Sequence, residues 1–215
     1  MSNVWKSMRL DYYTVKANYR LLFGVYALVI FVGALRQASL TIAIAMMFSI
    51  SFSGLAFSLS EKNNLGKLYG TLPLGRTEFV IGRYLYTLLF GMISAVVSGS
   101  LAYIISLLTK HSMDQLTLVS YLSFSFLYFC LAVGIAFPTY FKFGFSKAYI
   151  FTMLPLYILF IGSIFISRKA DVLNQVVQFF LSHQYMIWVT GIGAGLLLLT
   201  VSCLLSCFIY KRSEL

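Results

Sequence analysis

The sequence predicts an all-α integral membrane protein with six transmembrane helices. Of the 215 residues, 60% are hydrophobic and only 10% are charged, against about 25% charged residues in a soluble domain. Six mostly apolar runs come near the length that a helix needs to cross the hydrocarbon core of a bilayer, about 20 residues. The basic residues cluster between these runs, which is the pattern that membrane insertion produces.

The predicted spans follow one another along a single transmembrane domain, residues 1–215. They cover about residues 19–35, 38–59, 79–108, 116–138, 148–166 and 185–210. The first span is short, and the third is longer than needed, so the third is expected to tilt or to project into the cytoplasm. Pro155 is expected to kink the fifth span, and Pro138 is expected to end the fourth.

The distribution of basic residues predicts the orientation of the chain. With the N-terminus inside, twelve of the 16 Lys and Arg residues fall in cytoplasmic segments and four fall in outer segments. The opposite orientation would reverse this ratio, against the rule that positive charge stays on the cytoplasmic side. Both the N-terminus and the C-terminus are therefore predicted to be cytoplasmic.

Several function classes are disfavoured by what the apolar runs contain. No Asp, Glu, Lys, Arg or His lies near the middle of a predicted span, which argues against a proton relay or an ion pathway. The spans also offer no convergent catalytic set. The net charge is +10, but the bases form no single face, so no nucleic-acid partner is expected. No metal site is predicted, and Cys130, Cys203 and Cys207 are expected to pack between helices.

Small residues predict where the helices meet. Gly91, Ala95 and Gly99 recur four residues apart on the third span, and Gly191 and Gly195 do so on the sixth. Such faces allow two helix backbones to approach closely in lipid.

Two segments outside the spans have amphipathic patterns. The segment of residues 1–18, together with the residue that follows it, has apolar positions on one helical face: Val4, Met8, Tyr12, Val15 and Tyr19. Lys6, Arg9 and Lys16 lie largely off that face. This segment is therefore predicted to be an interfacial helix on the inner leaflet, with membrane lipids as partners. The alternative is a plain juxtamembrane tail. Residues 167–184 are predicted to form an outer amphipathic segment, either interfacial or re-entrant, or else part of a long sixth span.

A third segment, residues 60–78, is predicted to be a cytoplasmic loop that contains a short amphipathic helix. Leu65, Leu68, Tyr69 and Leu72 follow the i, i+3, i+4, i+7 spacing of one helix face. Pro73 and the turn at Gly75 are expected to end this helix. An apolar face on a cytoplasmic loop packs against something, either the membrane surface or another protein.

The same loop carries the residues of a family resemblance. Glu61 is followed by an aromatic residue, Tyr69, and then by Leu72, Pro73 and Arg76 in a Leu-Pro-x-x-Arg stretch. Residues 80–84 then enter the third span with Arg83 where the family usually has Lys. With this layout of spans, the chain resembles the membrane (permease) subunits of bacterial type-2 class ABC exporters, in particular the small six-span ones.

This resemblance implies a role for the loop and a set of partners. In such permeases the loop between spans two and three is the coupling helix, which docks onto a separate ATPase subunit. Carried onto this chain, that role falls to Glu61, Leu65, Leu68, Tyr69, Leu72, Pro73 and Arg76. The resemblance further implies a second permease, identical or related, and a place in the bacterial cell membrane.

ATP hydrolysis is not expected in this chain, because it has no G-x-x-x-x-G-K-[ST] phosphate-binding motif. The resemblance places ATP and Mg²⁺ on the partner, so the chain is expected to be a transporter subunit without a cofactor of its own. Its class implies export, and apolar spans without a charged pocket fit a hydrophobic or amphipathic substrate: a lipid, a drug or a peptide.

Three other functions stay open on the sequence alone. The substrate-binding membrane subunit of an energy-coupling-factor vitamin importer is also small and lacks an ATPase, but polar ligand contacts would be expected to converge near its outer side. A membrane-embedded enzyme would need a catalytic set. A non-transporting assembly or immunity protein with six spans would not need an ATPase partner.

Overall fold

The computed structural model describes residues 3–35, 38–65, 75–108, 115–151, 154–155, 157 and 184–212. Within these ranges the chain is helical apart from short turns, and no described residue lies in a β-strand. The long helices are α1 (Asn3–Lys16), α2 (Tyr19–Leu35), α3 (Ala38–Lys62), α4 (Arg76–Leu108), α5 (Gln115–Phe143) and α6 (Gln184–Arg212). Residues 145–151 form a further helical segment.

Four of the described helices, α3 to α6, are long and apolar enough to cross a membrane. Helix α2 is apolar but shorter, with 17 residues. The prediction of an all-helical, multi-pass membrane protein is thus confirmed in its coarse form. Most of the predicted fifth span (148–166) and of the outer segment (167–184), including the amphipathic pattern of the latter, lies outside the described residues.

Helices α3 and α4 run antiparallel. Near the end of α3, the Ser60 hydroxyl accepts a hydrogen bond from Arg83 Nη2 at 2.9 Å, while nearer its middle the Ser49 hydroxyl donates to the hydroxyl of Ser94. The end of α3 therefore lies beside the start of α4. We call this the basal end of the bundle.

Helices α5 and α6 pack extensively and run parallel to each other. Trp188 Nε1 donates to the Ser120 hydroxyl at 3.2 Å, and further along both helices the Ser202 hydroxyl donates to the Gly134 carbonyl at 2.7 Å. The ends of both helices lie at the basal end, where the ring of Tyr210 contacts that of Phe141. Helix α5 thus ends at the basal end, and α6 begins at the opposite end.

The expectation that Pro138 ends the fourth span is wrong, because α5 continues through it to Phe143. Proline has no N–H, so in a helix it leaves the carbonyl four residues before it without a donor. For Pro138 that carbonyl belongs to Gly134, which accepts the hydroxyl of Ser202 from α6 instead. A neighbouring helix thereby supplies the missing hydrogen bond, as membrane helices with internal prolines require.

Ser202 also belongs to a buried hydroxyl relay, a chain of hydrogen bonds that joins α4, α5 and α6. Because Ser202 donates to Gly134, it accepts from the Tyr84 hydroxyl, 2.7 Å away. The Ser206 hydroxyl, 2.8 Å from Tyr84, then donates to the tyrosine oxygen. Tyr84 is therefore the hydrogen-bonded link between α4 and α6 inside the bundle.

The predicted small-residue faces do lie at helix contacts. At each glycine, a methyl group would meet a residue of α5: Gly91 faces Phe129 (2.5 Å), Gly99 faces Leu122 (3.1 Å), Gly191 faces Ser123 (3.5 Å) and Gly195 faces Cys130 (3.1 Å). Cys130 is fully buried in the core, and Cys203 and Cys207 pack against it. The close approach of α4 and α6 to α5 thus depends on residues without side chains.

Candidate functional site

The basal end contains the two stems of the loop between α3 and α4. The first stem is the end of α3 and the residues up to 65, and the second stem begins at Gly75 and continues into α4. Among the sequence-predicted coupling residues, Leu68, Tyr69, Leu72 and Pro73 lie outside the described residues. Glu61, Leu65 and Arg76 lie on the stems, where Leu65 is half-buried.

A capping arrangement fixes where α4 begins. The Phe79 N–H donates to the Gly75 carbonyl at 3.0 Å, and Glu78 Oε2 accepts the Gly75 N–H at 2.9 Å. A glutamate at the third helical position that reaches back to the cap N–H is one half of a capping box. Asn3 Nδ2 of α1 also donates to Glu78 Oε1, at 3.3 Å. The second stem is therefore fixed both to its own helix and to α1.

Above this cap, a buried ion pair joins α1 to α4. Arg83 Nε lies 3.3 and 3.2 Å from the two carboxylate oxygens of Asp11, and Arg83 Nη2 lies 3.2 Å from Asp11 Oδ1. Arg83 is 3% exposed and Asp11 is 0% exposed. The remaining contact of Nη2, with Ser60, brings the end of α3 into the same network.

Two aromatic rings enclose the guanidinium group. Arg83 Cζ lies 4.2 Å from the ring centroid of Phe57 on α3 and 4.6 Å from that of Phe79 on α4. A guanidinium above an aromatic face is stabilised by the ring quadrupole, and more strongly when water is excluded. We call Asp11, Arg83, Ser60, Phe57 and Phe79 the Arg83 clamp.

Burial and the neighbouring charge act in opposite directions on the carboxyl group of the clamp. Loss of water raises the pKa of Asp11 above its usual value, while the Arg83 guanidinium beside it acts to lower that pKa. Arginine keeps its charge in proteins, so the guanidinium is the fixed charge of the pair.

Helix α1 packs closely against α4. The Ser7 hydroxyl donates to the Phe79 carbonyl at 3.2 Å, and a methyl group at Gly82 would lie 2.6 Å from the Ser7 hydroxyl. The buried positions of α1 are Ser7, Asp11 and Val15. Tyr12, on the apolar side predicted to face the inner leaflet, is 41% exposed, and the placement of α1 at the membrane surface stays a prediction. Polar contacts with α4, which the hydrophobic pattern does not register, determine this orientation.

Glu61 contacts the chain that follows α5. Its Oε2 accepts the backbone N–H of Ser146 at 3.1 Å, at the start of the helical segment 145–151. Gly144, with φ of +80°, makes the turn between the two helices, and its N–H donates to the Tyr140 carbonyl. The carboxylate thus ties the first stem to the segment after α5, through an exposed contact.

Arg76 ties the second stem to the end of α6. Its Nη1 donates to the backbone carbonyl of Lys211 at 3.2 Å. Cations at the C-terminus of a helix are favoured, because the last carbonyls have no partner within the helix. Both Arg76 and Lys211 are exposed.

The Arg83 clamp was missed at the level of sequence. The sequence showed Arg83 only as a substitute for the usual Lys and indicated no role for Asp11. The available signal was the spacing of Ser7, Asp11 and Val15, which places a lone acid on one face of a basic helix.

The described residues at the basal end link helices to one another. Within the described ranges, no group of three or more His, Cys, Asp or Glu side chains could hold a metal ion. The cluster instead connects both loop stems to α1, α6 and the segment after α5.

The sequence is similar to a known family of proteins. The model of a family described as "ABC-2 family transporter protein" matches residues 8–211, nearly the whole chain. Comparisons with curated proteins and with solved structures found no match.

Proposed function

This chain belongs to the ABC-2 family of transporter proteins, and from that membership we propose that it is the permease subunit of an ATP-driven exporter. The resemblance to type-2 ABC permeases is thus confirmed at the level of the family. Membership favours this function over a vitamin-importer subunit or a membrane-embedded enzyme. As a transporter membrane subunit, the chain works with an ATPase on a separate chain, which binds ATP and Mg²⁺.

The observation that carries the proposal is the construction of the two loop stems. Both stems are anchored at one end of the bundle by a buried ion pair, a helix cap and contacts with two other helices. A loop that receives force from a partner needs such anchoring, because a loose connection would absorb the displacement. We therefore assign docking of the ATPase to Glu61, Leu65, Leu68, Tyr69, Leu72, Pro73 and Arg76.

The positions of charged residues support a cytoplasmic basal end. In α3 to α6, every charged side chain lies at that end: Glu61, Lys62, Arg76, Glu78, Arg83, Lys142, Lys211 and Arg212. Six of these eight are Lys or Arg. A positive excess at one end of membrane helices is typical of the cytoplasmic side.

The directions of the helices support six spans with both chain ends inside. Helix α2 rises beside α4, because the hydroxyls of Tyr19 and Tyr86 lie 3.3 Å apart at the basal end and Tyr26 meets Ser94 higher up. Helix α3 descends, α4 rises, and α5 and α6 both descend. We place the predicted fifth span, residues 148–166, between the end of α5 and the start of α6, which lie at opposite ends of the bundle.

In the proposed mechanism, ATP binding closes two ATPase subunits, and the docked loops move with them. The helices then shift between inward-open and outward-open forms of a pair of permeases, identical or related. The uncharged upper parts of α3 to α6 favour a hydrophobic or amphipathic substrate: a lipid, a drug or a peptide. The bacterial cell membrane is the proposed location.

Co-purification tests the docking assignment. The chain is co-expressed with each ABC ATPase of its source genome, extracted in mild detergent and isolated by a tag on the chain. Leu68→Asp and Tyr69→Asp place a charge on the apolar face of the loop helix. Thr71→Asp places the same charge off that apolar face and serves as the matched control.

The proposal expects the unmodified chain and Thr71→Asp to retain one ATPase, and Leu68→Asp and Tyr69→Asp to lose it while they remain folded. It is overturned if no ATPase accompanies the unmodified chain, or if all three variants retain the ATPase equally.

A further inference from the structure

We infer that Asp11 and Arg83 are positioning residues that make α1 and the two loop stems move as one unit. The inference rests on the proposed function, since it concerns how displacement of the loop reaches the membrane helices. It adds a route, from the stems through α1 to α2, that the docking residues alone do not define.

The first argument is that one side chain holds three helices. Arg83 lies on α4, binds Asp11 on α1 and contacts Ser60 and the Phe57 ring on α3. Removing either partner of the ion pair would leave the other charge or its hydrogen-bonding groups buried without compensation, which is costly. Separation of α1 from either stem is therefore strongly disfavoured.

The second argument is the fit between α1 and the start of α4. Contacts recur along α1 at one helical face, where Asn3 meets Glu78 and Ser7 meets the Phe79 carbonyl. At Gly82, the Val4 carbonyl and the Ser7 side chain leave no room for even a methyl group. Sliding of α1 along α4 would thus break several contacts together.

The third argument is the contrast with the other links of the stems. The contacts of Glu61 with Ser146 and of Arg76 with Lys211 join exposed residues, unlike the buried Arg83 clamp. Exposed charged contacts contribute little to stability, because water replaces them readily. When the loop is displaced, these two contacts break first, and the buried contacts of the Arg83 clamp stay intact. The stems and α1 then move relative to the end of α6.

The connection between α1 and α2 carries that motion into the bundle. The Asn18 N–H donates to the Val15 carbonyl at 2.8 Å, and the Leu21 N–H donates to the Asn18 carbonyl at 3.0 Å. The turn between the two helices is thus short and hydrogen-bonded on both sides. A shift of α1 reaches α2 directly, without a long linker to absorb it.

Distances between spin labels, measured by pulsed electron paramagnetic resonance, test this inference. Labels are attached in pairs to cysteines at three exposed positions, Lys6 on α1, Lys62 on the first stem and Arg212 at the end of α6. The native Cys130, Cys203 and Cys207 are replaced by Ala. Labelled chains are diluted with unlabelled ones, so that distances within one chain are read.

The complex with the co-purified ATPase is compared without nucleotide and with ATP and vanadate. The inference expects the distance between positions 6 and 62 to stay unchanged. It expects both the 6–212 and the 62–212 distances to shift. It is overturned if the 6–62 distance shifts as much as the 62–212 distance, or if no distance shifts while the complex hydrolyses ATP.

Variants at position 11 test the Arg83 clamp independently of the proposed function. Asp11→Asn keeps the shape of the side chain and removes its charge. In the chain alone, without an ATPase, Asp11→Asn should broaden the distribution of distances between positions 6 and 62. Asp11→Glu, which keeps the charge, should give a narrow distribution. A distribution in Asp11→Asn as narrow as in the unmodified chain overturns the clamp. Absence of any associated ATPase instead contradicts the proposed function and leaves this readout intact.

Discussion

Replacing Arg83 by Leu should destabilise the protein in a way that depends on pH. Breaking a buried ion pair by removing one partner costs about 3–5 kcal/mol. Contact of the guanidinium with each of two rings adds about 0.5–2 kcal/mol, part of which the Leu side chain restores. We therefore expect a loss of about 3–5 kcal/mol in the free energy of unfolding near neutral pH.

The sign of the pH dependence follows from the carboxyl group that remains. Burial already raises the pKa of Asp11, and in Arg83→Leu no guanidinium lowers it. The folded variant then binds a proton more readily than the unfolded chain, so its stability rises as the pH falls through the raised pKa. The gain is about 1.4 kcal/mol for each pKa unit by which the folded value exceeds the unfolded one.

Asp11→Ala gives the opposite expectation from the same pair. It leaves a buried guanidinium, which cannot lose its proton in this pH range. The loss in stability should again be about 3–5 kcal/mol, but acid should restore none of it. The difference between the two single variants therefore reports which member of the pair titrates.

The assay is unfolding of the purified protein in mixed micelles, followed by loss of helical circular dichroism, at about pH 5 and about pH 8. Asp11→Asn/Arg83→Leu removes both charges and corrects for other titrating groups. Equal losses in Arg83→Leu at both pH values would refute the reasoning. So would additive losses in Asp11→Ala/Arg83→Leu, because they would mean that the two side chains do not interact.

Two further substitutions test the packing. Gly82→Ala should lower the free energy of unfolding by about 1–3 kcal/mol, because its methyl group would lie 2.6 Å from the Ser7 hydroxyl. Gly24→Ala is the matched control, because its methyl group would have no atom within 4 Å. Equal melting temperatures for the two variants would contradict the close fit of α1 against α4. Tyr84→Phe removes the hydroxyl that lies between two serines of α6, and it should lower the free energy of unfolding by about 0.6–1.7 kcal/mol. An unchanged melting temperature would mean that the hydroxyl relay does not stabilise the contact between α4 and α6.

The sequence was informative wherever a one-dimensional pattern is enough. Long apolar runs indicate membrane helices because lipid imposes the same demand on every spanning segment. The small faces around Gly91 and Gly195 were likewise visible, because close helix approach excludes side chains at a regular spacing. Helix α4 extends to Arg76, beyond the predicted third span, since its capping residues are polar and hydropathy ignores them.

The parts that were missed depend on residues far apart in the chain. Asp11 and Arg83 are separated by 72 residues, and Ser202 and Gly134 by 68. Sequence order does not tell which helix supplies a partner to a buried charge or to a carbonyl without a donor. For that reason Pro138 was assigned to a helix end, and the contacts that bury Ser7 and Asp11 of α1 against α4 were not predicted.

The most direct test of the central claim is the rate of ATP hydrolysis by the partner ATPase, alone and with this chain in lipid nanodiscs. The account predicts that the bound chain changes the rate, that Leu68→Asp abolishes the change, and that Thr71→Asp does not. Equal rates with and without the chain would contradict the claim that this protein is the membrane subunit through which an ATPase acts.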